Sequence, residues 1–127
     1  MQENHLFEYA VIRVVPKVER EEFLNVGIVL YCHARKFLQI RYILDPVRLG
    51  IFSAALELEV LENNLLSFER ICSGGAKAGP IGMMTIRERF RWLTATRSTV
   101  LQTSKAHPGF CKDPEAAMHK LFAEMVL

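Results

Sequence analysis

Two short stretches, EYAVIRVV (8–15) and VGIVLYC (26–32), are apolar at almost every position, and they constrain the fold more than anything else in the chain. A strand with one wet face alternates apolar and polar residues, whereas a strand buried on both faces does not. Both runs are rich in β-branched and aromatic side chains, which suit a pleated, packed surface. Each is far shorter than the roughly 20 residues that a membrane-spanning helix needs. The first reads as a central strand and the second as another buried strand. Glu8 opens the first run and Arg13 is the only charge inside it. Pro16 closes it, because proline cannot donate to a ladder. Gly27, near the start of the second run, marks a bulge or a close backbone approach.

The remaining elements follow from punctuation and period. PKVEREEFLN (16–25) is a charged connection, solvated or coiled into a helical turn. HARK (33–36) is a polar turn into FLQIRYIL (37–44), where Gln39 and Arg41 share a face. Three consecutive strands with a short second connection predict an antiparallel meander. Asp45-Pro46 starts a short helix, since Asp accepts from unpaired amides and proline at the first helical position loses nothing. From Glu57 the period changes: Leu58, Leu61, Leu65, Phe68 and Cys72 form one apolar stripe on a helix over 57–72. Gly74-Gly75 ends it. Thr85-Ile86-Arg87-Glu88 is a capping box, opening a helix with Ile86, Phe90 and Leu93 on its apolar face. RSTVLQTS (97–104) reads as a fourth strand and HPGFC (107–111) as a turn. Asp113-Pro114 begins the last helix, over 114–126, with Met118, Leu121, Phe122 and Met125 buried. The expectation is α+β: a mostly antiparallel sheet of about four strands, a three-strand N-terminal meander plus a late strand, with two or three helices packed on it. With 127 residues and no linker or repeat, residues 1–127 form a single domain.

Charge and cysteine content narrow the function classes. A net charge of +2 is too mild to argue for nucleic acid without a local patch. The N-terminus lacks a basic start followed by an apolar stretch, so no signal peptide is expected, and nothing points to a membrane. Cys32, Cys72 and Cys111 are odd in number and widely spaced, which favours a reducing cytoplasm. They also lack the paired short spacings of a zinc site, and His107 four residues before Cys111 does not supply one. Neither a metal nor a cofactor is expected. Glu57, Glu59, Glu62 and Glu69 make a solvated helix face.

The strongest candidate chemistry lies in RFRWLTATRSTVLQTSKAHPGFCKDP (89–114). Arg97 is followed by Ser98, Thr99 and Gln102, with Arg89, Arg91 and His107 close in sequence. Guanidinium groups beside hydroxyls and a turn of free amides suit a phosphate or carboxylate ligand, because bidentate arginine matches a planar oxyanion. The competing reading is a structural seam in which Arg97 pairs with Glu19, Glu21 or Glu22. Glu22 and Asn25, just before Gly27, either line a cleft mouth or shape a turn. CSGGAKAGPIG (72–82) lacks the Lys-Ser/Thr ending of a phosphate loop and follows a helix rather than a strand. It reads as a mobile loop with Lys77 at its tip. No residue can be assigned a catalytic role, and whether the chain is an enzyme stays open.

Taken together, YAVIRVVPKVEREEFLNVGIVLY and RFRWLTATRSTVLQTSKAHPGFCKDP resemble the bacterial family catalogued as domain of unknown function 3037, across essentially the whole chain. The resemblance implies a small single domain without an established activity, encoded beside HipA-like serine/threonine kinases and so a partner of one. Thr96 and Pro108 depart from the family pattern, which often has proline and threonine there; the change touches turn geometry alone. Three functions are therefore in view. The first is a non-catalytic accessory or adaptor domain for such a kinase. The second is a small enzyme or binding domain for a phosphorylated or carboxylate ligand at the Arg/Ser/Thr/Gln/His cluster. The third is nucleic-acid binding through the basic residues of 87–105, against which the near balance of charge argues.

Overall fold

The first three strands pair as an antiparallel meander: β1 (His5–Val14), β2 (Leu24–Cys32) and β3 (Phe37–Tyr42). The computed structural model describes residues 4–97 and 99–127. On its other side β1 carries two short strands, β4 (Leu101–Thr103) along residues 12–14 and β5 (His107–Cys111) along residues 5–9. The sheet order is β3-β2-β1-β4, with β5 continuing the β4 edge. The strands β1 and β2 are therefore interior.

Helices cover both faces, which is why the two interior strands do not alternate. The helices are α1 (Pro46–Phe52), α2 (Leu58–Ser73), a one-turn α3 (Gly79–Gly82), α4 (Ile86–Leu93) and α5 (Pro114–Met125). Ala10, Ile12 and Val14 of β1, with Val29 and Tyr31 of β2, pack against Leu61, Leu65 and Phe68 of α2 and Phe90 and Leu93 of α4. Phe7 and Val11 with Ile28, Leu30 and Cys32 pack on the opposite face against Met118 and Phe122 of α5. The predicted caps are present. The Asp45 carboxylate accepts from the amides of Val47 and Arg48, and the Thr85–Glu88 capping box closes in both directions. No helix among the described residues is long and apolar enough to cross a membrane.

Two sequence expectations change. The late strand is not 97–104 but Leu101–Thr103, because residues 94–97 leave α4 as a loop. HPGFC is not a turn but strand β5. Proline is tolerated on an edge strand, where one row of amides has no partner. Gly109 has its own reason: the Phe7 ring crosses it, and a Cβ there would sit 2.5 Å from Phe7 Cζ. The glycine-rich segment, read from sequence as a mobile loop, contains a 3-10 turn (Ala76–Ala78) and α3.

The β1–β2 ladder slips once. Ile12 faces Gly27, but the next residue, Arg13, faces Asn25, so Val26 is the extra residue of a bulge. A Cβ on Gly27 would lie 2.7 Å from the Arg41 carbonyl oxygen and 2.9 Å from Tyr42 Cβ. Glycine is needed there because β3 approaches closely.

Candidate functional site

The last carbonyls of a helix have no amide partner within it and carry the negative end of its dipole, so they attract cations. Two of the candidate arginines are used this way. Arg89 Nη1 donates to the carbonyls of Ile71 and Cys72, both at 2.8 Å, and so caps α2 from the neighbouring α4. Its Nε donates to the Met84 carbonyl at 3.2 Å. Arg97 turns back on α4, donating from Nη2 to Trp92 O at 2.6 Å and from Nη1 to Leu93 O at 3.1 Å. Its guanidinium carbon lies 4.7 Å from the Trp92 ring centroid and 5.2 Å from that of Phe68. Burial lowers its pKa from the ordinary arginine value. The seam expected between Arg97 and Glu19, Glu21 or Glu22 is corrected in its acceptors, which are main-chain oxygens. Glu22 instead pairs with Arg20 on the surface.

The other candidates disperse. Thr99 Oγ1 donates to the Leu101 carbonyl and Gln102 Nε2 to the Thr99 carbonyl, each at 2.8 Å, so both shape the loop before β4. Arg91 is exposed on α4. His107, on β5, lies against Tyr9 with ring centroids 5.4 Å apart. Ser98 lies outside the described residues. Asn25 Nδ2 donates to the Met125 carbonyl at the end of α5, at 3.0 Å.

What the fold does bring together is Asn25 and Gln102, through a residue that sequence reasoning left out. Arg13 of β1 faces Asn25 of β2 on one side and Gln102 of β4 on the other. Directly paired residues of antiparallel strands share a face. Asn25, Arg13 and Gln102 therefore form one polar row across three strands, on the face that carries α5. The Arg13 guanidinium sits 4.0 Å from the centroid of Phe23, a ring that is 45% exposed. Arg13 Nε and Asn25 Oδ1 are both buried without a hydrogen-bond partner among the described residues. Burial lowers the Arg13 pKa from the ordinary value. The signal was in the sequence, as the one charge inside a central strand. Its neighbours were not, because the bulge sets the register.

The cysteines offer little nucleophilic chemistry. Burial pushes the Cys72 thiol up to about 12, against a smaller opposing effect of Arg89. The Cys111 thiol is raised as well, first by burial and then by the neighbouring Cys32. Among the described residues no group of three or more His, Cys, Asp or Glu side chains could hold a metal ion. At the far end of the sheet, on the face opposite α5, a depression of about 270 Å³ lies between Leu6, Glu8, Tyr31, His33 and Arg87. Tyr31 Oη and His33 Nδ1 are hydrogen-bonded there at 2.8 Å.

The family model described as "Protein of unknown function (DUF3037)" matches residues 9–126. The chain belongs to this family. Comparison with curated proteins and with solved structures finds no match. The DUF3037 match takes in the polar row and both capping arginines, whereas Leu6 and Glu8 precede it.

Proposed function

We propose that this DUF3037 domain is a non-catalytic accessory domain that docks on a partner protein in the cytoplasm, the partner being a HipA-like kinase. One observation carries the docking part. Leu6 and Phe110 face each other across β1 and β5, and they are 53% and 72% exposed. Two large apolar side chains side by side in water favour contact with another apolar surface. Glu8, His33 and Arg87 border them around the adjoining depression, and an apolar centre with a polar rim is the usual anatomy of a protein interface. The choice of a kinase rests on the family resemblance. Against a phosphate or carboxylate site at residues 89–107 stands the use of Arg89 and Arg97 as helix caps. The same two contacts shrink the basic set available for nucleic acid to Arg87, Arg91 and Lys105.

The test is a pull-down of the HipA-like kinase encoded beside this protein, with and without nucleotide. The wild-type domain retains the kinase and Phe110→Asp loses it, while the melting temperature stays close to wild type because Phe110 is exposed. Retention by Phe110→Asp at the wild-type level would remove the proposed surface, and no retention by the wild type would remove the partner.

A further inference from the structure

Arg13 is a half-buried charge within a strand that is otherwise mostly apolar. Its strand is interior, its neighbours Ile12 and Val14 are fully buried, and its Nε lacks an acceptor among the described residues. A buried donor left without a partner is destabilising, so stability alone does not account for an arginine here. Local rules are broken chiefly where function requires it.

The surroundings present the guanidinium rather than neutralise it. Asn25 and Gln102 flank it in register, yet each directs its amide N–H elsewhere, to Met125 O and Thr99 O. Both amides are thereby held in place, and Asn25 Oδ1 has no donor among the described residues. The Phe23 ring centroid lies 4.0 Å from the guanidinium carbon, a contact that attracts the cation to the ring face. The bulge at Val26 brings Asn25 opposite Arg13 and so into this row, and bulges often re-aim side chains beside functional sites. The contrast with Arg89 and Arg97 is direct, since their guanidinium groups are used on helix carbonyls.

We infer that Arg13, held between Asn25 and Gln102 beneath Phe23, is an oxyanion-binding site whose outer nitrogens receive a carboxylate or phosphoryl group. A guanidinium fork supplies two parallel N–H donors to either group. The ligand stays on the α5 face of the sheet, away from the Leu6–Phe110 surface. The inference is thus independent of the adaptor proposal, and each has its own readout.

Titration followed by 1H–15N NMR tests it on the intact domain, at constant ionic strength held with chloride. The probes are inorganic phosphate and N-acetylglycine, with N-acetylglycinamide as the uncharged control. At least one anion should shift the Arg13 Nε–H and the Asn25 side-chain amide with a saturating curve, and the neutral amide should not. Which anion saturates identifies the source of the oxyanion. Arg13→Lys keeps the charge but loses the fork, and should weaken binding tenfold or more. Asn25→Asp places a carboxylate beside the guanidinium and should abolish the titration without unfolding the protein. If neither anion gives a saturating shift in the wild type, or N-acetylglycinamide shifts the same resonances equally, Arg13 is an internal partner of Asn25 and the inference is wrong.

Discussion

At the scale of single residues, three arginines of similar sequence setting have different roles, and substitution separates them. Arg97→Ala removes two charge-assisted bonds to the end of α4 and its stacking on Trp92. Bonds of that kind contribute about 1.5–3 kcal/mol each at most, so a loss of about 2–3 kcal/mol in urea unfolding is expected. Arg89→Ala uncaps α2 and should cost about as much. Arg91→Ala should stay within about 0.5 kcal/mol of wild type, as exposed positions do. Equal effects of all three would refute the capping assignment. Cys72 supplies a pH signature. Its folded thiol lies at about 12, above the ordinary value of 9.0. The unfolded chain therefore releases the proton first, and its burial stabilises the fold fully below pH 9 and loses that contribution as pH climbs towards 12. Alkaline unfolding curves of Cys72→Ala should be flatter than wild type across that window. The same thiol should resist alkylation at pH 8 until denaturant is added.

At the scale of elements, patterns that repeat over many residues were legible and those set by a partner were not. The double-faced runs identified β1 and β2 because their burial is written in every residue. The three-four stripe gave α2, and Asp45, Thr85 and Asp113 marked three helix starts through their own side chains. β5 was hidden because Pro108 and Gly109 look like a turn until β1 supplies an edge and Phe7 a ring to cover the glycine. The candidate site failed for a related reason. Residues 89–107 are dense in polar groups, but most of those groups bond to main-chain atoms within a few residues or on an adjacent helix. Arg13, Asn25 and Gln102 lie far apart in sequence and meet only through strand register. That register hangs on the bulge and on Gly27. Gly27→Ala forces a Cβ against the Arg41 carbonyl, a backbone atom that cannot swing aside. A loss of about 1–3 kcal/mol is expected, together with shifts in the Arg13 and Asn25 resonances; an unperturbed spectrum would mean that β3 yields freely.

At the scale of the molecule, β1 is the spine. It makes one edge with β2 only a few residues later and the other with β4 and β5, where Ile12 meets Thr103 and Tyr9 meets His107. Such long loops slow folding, since their closure is unfavourable until the distant contacts form. The consequence reaches back to synthesis. At ribosomal speeds of roughly 5–20 residues per second, some 90 residues take roughly 5–20 s to appear. For that interval the meander has a long, flat, apolar strand with one row of unpaired amides and carbonyls, open to any nascent neighbour able to lend a strand. Residues 101–111 act as the seal on that edge. A ribosome stalled before them should release a chain that pairs with its own copies, through a strand that the finished protein pairs along both edges.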